Sequence, residues 1–196
     1  MFPNLNDIDF KDEPYKFFSS SPNTDDKTIS TWLDWFENQA PWRLVETDFY
    51  EQHEFSLLNM DLPECVSILA HEDTLNHVKS KVEELFNVRL SSNLEVIAHK
   101  LVKGQTIRIH NDFLNINDRE THRVLLQLNR NFDESNGGFL MIFKGKEPED
   151  LVEIIEPISG SVQGFEISSE SHHAVSTIHS GERYTVVYSF REIVND

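Results

Sequence analysis

The chain has 196 residues and a formal net charge of −17, the balance of 34 acidic and 17 basic side chains. A chain this acidic repels phosphate backbones and anionic headgroups, and we therefore expect no nucleic-acid or membrane partner. The charge favours a neutral or cationic substrate; the alternative is that it serves solubility alone. With Cys65 as the only cysteine, the chain can form neither an intrachain disulfide nor a thiolate zinc or iron–sulfur cluster.

The N-terminal stretch, residues 1–23, mixes Asp, Asn, Pro and Ser with five aromatic side chains, so we expect part of it to pack. It has neither the basic start nor the apolar run of a signal peptide. No later segment is apolar for long enough to span a bilayer. We therefore expect a cytoplasmic protein.

Two amphipathic helices are predicted before residue 90. Apolar residues follow helical spacing over residues 28–39 and again over residues 73–87, where Asp73 is the expected N-cap. Between the helices, residues 42–50 indicate a strand and a turn. The pattern from there to Pro63 indicates neither helix nor strand.

Eight short β-rich runs follow residue 92, separated by Gly, Asn and Asp. They are Leu94–Val102, Thr106–His110, Arg123–Asn129, Phe139–Phe143, Leu151–Ile155, Ser161–Phe165, Ala174–Ile178 and Tyr184–Phe190. Many short strands at such spacing favour a sandwich or barrel, and eight strands in two sheets form a jelly roll. We predict one mainly β domain, with a jelly-roll core at 91–196 and a helical and mixed support region at 1–90.

A His and an Asp two residues apart, His110 and Asp112, stand at the end of a predicted strand. Strand side chains alternate with a period of two, so both can reach one ion. Two imidazoles and one carboxylate on one face of an octahedron leave three open positions, which lets non-haem Fe(II) bind a co-substrate and O₂ together. The third ligand must come from elsewhere. His172 and His173 compete for that position, because neighbouring strand residues face opposite ways.

A candidate anion clamp follows this histidine pair. Arg183 lies ten residues beyond His173, a length that suits one turn and a return strand. Its planar guanidinium matches a carboxylate in a bidentate contact. Thr185 lies two residues on, on the same strand face, and offers a hydroxyl donor.

An ordered series of motifs runs through the last half of the chain. Its members are Gly104, His110 and Asp112; Leu126-Gln127-Leu128-Asn129; Gly137-Gly138; Pro157, Gly160 and Phe165; and His173, Val175, Ile178, Gly181 and Arg183. In this order and spacing the chain resembles the Fe(II)/2-oxoglutarate-dependent oxygenases, within them the prolyl 4-hydroxylase-like branch. The resemblance implies a double-stranded β-helix, or jelly roll. The implied cofactors are Fe(II), 2-oxoglutarate as co-substrate and O₂, with ascorbate as an optional accessory reductant.

The resemblance also assigns roles to residues. It selects His173 over His172, because the spacings to the residues that follow match the family only when counted from His173. Arg183 would hold the distal carboxylate of 2-oxoglutarate, with Thr185 beside it. One departure is Leu101, which stands where such enzymes often have a Tyr nine residues before the first ligand. A Leu cannot donate a hydrogen bond, so we predict that Gln127 replaces that contact.

The implied reaction is hydroxylation of an unactivated C–H bond, and we expect an amino-acid side chain, free or in a peptide, as substrate. Related halogenases carry Gly or Ala in place of the carboxylate ligand, so Asp112 favours hydroxylation. The alternatives are a non-hydroxylating outcome (halogenation, desaturation or cyclisation) and, less favoured, a non-catalytic jelly-roll binding module. Five other histidines lie in no recognisable ligand context: His53, His71, His77, His99 and His179.

Overall fold

The computed structural model describes Leu5 and residues 7–22 and 24–193. Within these ranges, twelve strands form two antiparallel sheets. The larger sheet has eight strands in the order β1-β2-β10-β7-β12-β5-β4-β3, and the smaller has four in the order β6-β11-β8-β9. The strands are β1 Ile8–Lys11, β2 Phe17–Ser20, β3 Arg43–Glu46, β4 Glu51–Ser56, β5 Glu95–Val102, β6 Ile107–His110, β7 His122–Leu128, β8 Leu140–Phe143, β9 Leu151–Ile155, β10 Val162–Glu166, β11 His173–Val175 and β12 Glu182–Phe190.

The predicted β core is confirmed: β5 to β12 correspond to the eight expected runs, with ends that differ by a few residues. One of these differences matters for the site, because β11 begins at His173 rather than at Ala174. The segment before residue 91 does more than support this core. It contributes β1 to β4, which form both edges of the larger sheet.

The helices are α1 Asp26–Asn38, the short α2 Glu64–Ser67 and α3 Glu72–Phe86, with 3₁₀ turns at Ile68–Ala70, Glu134–Asn136 and Pro148–Asp150. Asp25 caps α1 by accepting from the Thr28 backbone N–H. The predicted cap of α3 is wrong by two residues: the His71 side chain accepts from the Asp73 N–H, so Asp73 lies inside the first turn. No helix in the described ranges is both long and apolar enough to cross a membrane.

The molecule has three layers. The first core lies between α1, α3 and the outer face of the larger sheet, where Trp32, Phe36 and Val78 meet Val186 and Tyr188. The second core lies between the two sheets and includes residues such as Phe165 and Val187 of the larger sheet and Ile142 of the smaller. Burial of these apolar faces, at about 25 cal/mol per Å², drives the layers together.

Strand alternation divides β12 between these two cores. Tyr184, Val186 and Tyr188 face the helices, so Arg183 and Thr185 face the space between the sheets. The period of two therefore places polar side chains on the inner wall of a jelly roll.

Candidate metal centre and the cavity around it

Three side chains converge at one end of the space between the sheets. His110 ends β6 and pairs directly with His173, the first residue of β11. Asp112 follows in a left-handed backbone conformation, φ +56°, which turns its carboxylate back toward the histidines. His110 Nε2 lies 3.4 Å from Asp112 Oδ1, and His173 Nε2 lies 3.3 Å from Asp112 Oδ2. One ligand atom from each residue falls within 4.8 Å of the others, so the group can hold one metal ion.

Backbone carbonyls orient both imidazoles. His110 Nδ1 lies 2.8 Å from the Arg108 carbonyl oxygen, and His173 Nδ1 lies 2.9 Å from that of Ser171. A carbonyl only accepts, so each Nδ1 carries the proton and each Nε2 presents a lone pair to the centre. Partners of this kind commonly fix metal-binding histidines.

The convergence of electron-pair donors suits a cation. Burial lowers the pKa of His173, which favours the neutral imidazole that a metal requires. Burial would raise the pKa of Asp112, but the Arg123 guanidinium and the two histidines outweigh burial and hold that pKa well below its usual range. Arg123 Nη1 lies 2.5 Å from Asp112 Oδ2. The Nε2 lone pairs of His110 and His173 and the carboxylate of Asp112 thus point at one place, and this donor set suits a divalent metal ion.

The metal centre opens on a cavity of 220 Å³ between the sheets, here called the inner cavity. Arg183 also lines this cavity and is 5% exposed. Its Nε and Nη2 are buried and have no hydrogen-bond partner among the described residues. Burial lowers the pKa of Arg183 to about 10, so the group is still charged at neutral pH. A buried guanidinium without a partner is costly, so this cavity is suited to an anionic ligand.

Gly138 gives the Arg183 side chain its room. This glycine has φ +77°, and a Cβ added there would lie 3.0 Å from Arg183 Cδ. Any other residue would strain the backbone and press on the stem of the arginine. Gly138 of the motif series therefore has a steric reason in this fold.

The structure places Thr185 on the cavity wall and Gln127 behind it. The Thr185 hydroxyl donates to Gln127 Oε1 at 3.1 Å, and Gln127 Nε2 donates to Gln163 Oε1 at 2.8 Å. Thr185 lines the inner cavity, whereas Gln127 does not. Gln127 thus reaches the cavity through Thr185, and its role in place of the contact missing at Leu101 stays a prediction.

His99 lines the inner cavity, although its sequence context gave no sign of a site. It lies opposite Thr185 on β12 and opposite Glu54 on β4, with its Nε2 3.8 Å from Glu54 Oε2. Burial, assisted by the charges of Arg123 and Arg183, lowers the pKa of His99 to about 3. The ring is therefore neutral and can donate one N–H. Counting back two residues from Leu101 would have put His99 on this face.

A second cavity of 600 Å³, here called the mouth, lies on the other side of the metal centre. The Phe49 ring stacks on His110, 4.5 Å between centroids, and forms part of both cavities. Arg123 also borders both, and sequence reasoning missed it. His172 is half-buried and lines the mouth, away from the three converging side chains.

Comparison with known proteins gives a family and a fold. The model of the 2OG-Fe(II) oxygenase superfamily matches residues 96–191. No curated protein matches the sequence.

Solved structures of prolyl hydroxylases share the fold. A prolyl 4-hydroxylase of Pseudomonas putida has 17% identity and a TM-score of 0.73, covering 91% of this chain and 93% of that one. A Trichoplax adhaerens prolyl hydroxylase, in complex with a hypoxia inducible factor peptide fragment, has 16% identity and a TM-score of 0.72, covering 90% and 83%. A collagen prolyl hydroxylase of Paramecium bursaria Chlorella virus-1 has 13% identity and a TM-score of 0.66, covering 90% and 96%. The chain belongs to the 2-oxoglutarate- and Fe(II)-dependent oxygenase superfamily, is a 2-oxoglutarate-dependent dioxygenase, and has the jelly-roll fold of the prolyl 4-hydroxylase-like branch.

Proposed function

We propose that this dioxygenase hydroxylates an unactivated C–H bond in an amino-acid side chain, free or within a peptide. One observation carries the proposal: a cavity leads from His110, Asp112 and His173 to the buried, unpartnered Arg183. Both ends of a dicarboxylate co-substrate thus have a receptor, one at a metal and one at a guanidinium. The prolyl hydroxylase folds add the expectation of a peptide or amino-acid substrate.

In this proposal the three ligands hold Fe(II), which together with 2-oxoglutarate and O₂ supplies the oxidising power for the C–H bond. Succinate and CO₂ are the other products. Arg183 binds the distal carboxylate of the co-substrate, Thr185 and the neutral His99 flank it, and Gln127 keeps Thr185 in place. The apolar cavity walls keep out water, which strengthens the Arg183 contact.

Arg123 has a positioning role in the same proposal. Its hydrogen bond to Asp112 Oδ2 holds the carboxylate in one orientation, so that Oδ1 faces His110 Nε2. Its other terminal nitrogen lies 2.6 Å from Glu120 Oε2, so both terminal nitrogens of Arg123 are held by carboxylates of the protein although the residue borders the inner cavity. The ligand is thereby oriented before the metal arrives.

The rival outcome is halogenation or another non-hydroxylating oxidation at the same centre. The Asp112 carboxylate occupies the position that a halide would need, which favours hydroxylation. The predicted preference for a cationic substrate has weaker support. Basic side chains line the mouth alongside acidic ones, so the acidity of the chain does not continue into this entrance.

The test is a substrate screen with succinate formation as the readout, starting with free amino acids and short peptides. Products are then weighed by mass spectrometry in the presence and absence of chloride. We expect one added oxygen atom in both conditions. A chlorinated or dehydrogenated product would replace the proposal by its rival. If the protein binds 2-oxoglutarate in the presence of metal but turns over no amino acid or peptide, the substrate assignment is refuted.

A further inference from the structure

The mouth has a charge balance opposite to that of the whole chain. The charged side chains that line it are the basic Arg119, Arg123, Lys146 and Arg191 and the acidic Asp112, Asp118 and Glu120. The chain as a whole has twice as many acidic as basic residues, 34 against 17. Because Asp112 faces the metal centre, two carboxylates remain in the mouth against four cations.

Two of these four cations are left without a carboxylate. Arg123 and Arg191 each have a terminal nitrogen within 2.7 Å of a glutamate oxygen. Arg119 instead lies over the Phe113 ring, 4.9 Å from its centroid, and its buried Nε has no partner. Within the part of the chain that the structure describes, neither Arg119 nor Lys146 forms an ion pair. Both charges are available to a ligand.

Apolar side chains stand beside these charges. Leu114 and Ile116 both line the mouth and are 58% and 57% exposed, so their apolar surface is open to a ligand there. Phe49 forms the wall toward His110. A ligand that fits the mouth therefore has an apolar body and an anionic group.

We propose that the mouth binds a carboxylate of the substrate through Arg119 and Lys146, with the apolar body against Leu114 and Ile116. The inference rests on the proposed function and names the substrate class of that same site. Guanidinium and ammonium groups are the usual receptors of carboxylates. The carboxylate can belong to a free amino acid, to a peptide C-terminus or to an acidic side chain. The substrate is then anionic at the recognition site, in contrast to the cationic one that the net charge suggests.

The test measures binding to the full chain loaded with Mn(II) and 2-oxoglutarate under nitrogen, where no turnover occurs. Calorimetry compares three terminally blocked tripeptides, Leu-Glu-Leu, Leu-Gln-Leu and Leu-Lys-Leu. We expect the Glu peptide to bind about fivefold tighter than its Gln isostere, as for two partly exposed ion pairs, and the Lys peptide to bind weakest. The Glu preference should shrink at high salt. Free leucine, and Leu-Gln-Leu with a free C-terminus, distinguish the three sources of the carboxylate.

Matched variants decide the assignment. Arg119→Ala and Lys146→Ala should each reduce the Glu preference, and the double variant should abolish it. Arg89→Ala and Lys144→Ala are the controls, because both residues are exposed and neither lines the mouth. The inference would be overturned if the three blocked peptides bound equally and the free carboxylates of leucine and of unblocked Leu-Gln-Leu added no affinity. A preference for the Lys peptide, or a carboxylate preference that survives in the double variant, would also overturn it. A chain that fails to take up Mn(II) and 2-oxoglutarate would instead refute the proposed function.

Discussion

The inner cavity and the mouth flank the same three ligands but are built from different kinds of backbone. Adjacent strands line the inner cavity: Glu54 of β4, His99 of β5 and Thr185 of β12 lie opposite one another, with Gln127 of β7 behind Thr185. The mouth is formed mainly by the segment between β6 and β7 and by the turn that contains Lys146. In the inner cavity, strand register fixes the position of each polar group. In the mouth, the polar groups belong to connecting segments.

This difference separates general chemistry from selectivity. A pocket made by strand register suits a co-substrate that never changes, because a shift of one residue turns a side chain to the other face of the sheet. A pocket made by connecting segments can change with little cost to the fold. We therefore expect variants of the inner cavity to affect metal and 2-oxoglutarate, and variants of the mouth to affect only the substrate.

The largest effect is expected at the metal centre. His173→Ala should lower succinate formation by about 100-fold or more, since loss of a ligand exceeds the 10- to 100-fold effects known for residues behind the ligands. His172→Ala is the control, one residue away and facing the mouth, and should keep 2-oxoglutarate consumption near the parent rate. Equal activity losses in the two variants would contradict the choice of His173.

The next effect concerns Arg183 in the inner cavity. Arg183→Ala leaves a desolvated carboxylate without its charged partner, a loss of about 2–5 kcal/mol, so the KM for 2-oxoglutarate should rise by about 30-fold or more. Arg183→Lys should restore part of the affinity, because an ammonium lacks the bidentate geometry. Arg89→Ala, an exposed position, should leave KM unchanged. Parental KM in the Arg183→Ala variant would place the anchor elsewhere.

A third prediction concerns Arg123, which borders both regions. In the metal-free protein, Arg123→Met leaves the Asp112 carboxylate without a cation and should lower the free energy of unfolding at pH 7 by about 3 kcal/mol. The parent's low Asp112 pKa contributes stability above the unfolded pKa, about 3.9, and this stability is lost as pH falls. The difference between variant and parent should therefore shrink in acid, and Mn(II) should also reduce it. Urea unfolding measures both, and a pH-independent difference would contradict the ion-pair explanation.

The smallest effect concerns His99. Its folded pKa of about 3 lies below the unfolded value of about 6.5, so between these values the unfolded chain binds the extra proton and acid destabilises the fold. Between pH 6.5 and 5 the free energy of unfolding of the metal-free protein should fall by about 1 kcal/mol less in His99→Gln than in the parent. The effect is smaller than the two pKa values alone would give, because the ring is partly open to the cavity. The control is His77→Gln, at an exposed position of α3. If the free energy of unfolding changed with pH identically in the parent and in His99→Gln, His99 would not be a buried, neutral residue.

The sequence predicted the inner cavity far better than the mouth, because strand side chains alternate with a period of two and the side chains of a connecting segment do not. His110, Asp112, Arg183 and Thr185 lie on or beside strands whose motif spacings carry over into fixed positions. Arg123 could have been found by counting back in twos from Gln127, since both face the space between the sheets. Arg119 and Lys146 of the mouth lie in connecting segments. There the residue number does not predict which way a side chain points.

Of the four N-terminal strands, β3 was predicted within residues 42–50, whereas β1, β2 and β4 were out of reach. β1 and β2 are four residues each, and β2 joins the sheet through β10, more than 140 residues later. So short a run has no periodicity of its own, and its strand conformation depends on the long-range partner. The helices were predictable because α1 and α3 each repeat an apolar face over several turns.

The central claim is that the three ligands and Arg183 act on one and the same molecule of 2-oxoglutarate. Calorimetric titration of 2-oxoglutarate under nitrogen, with and without Fe(II), tests it most directly. We expect one binding event per chain in the Fe(II)-loaded protein and at least tenfold weaker binding without metal, since the two contacts reinforce each other only when both are present. The His110→Ala/His173→Ala double variant should behave like the metal-free parent. Equally tight 2-oxoglutarate binding with and without Fe(II), or in the double variant, would contradict the account.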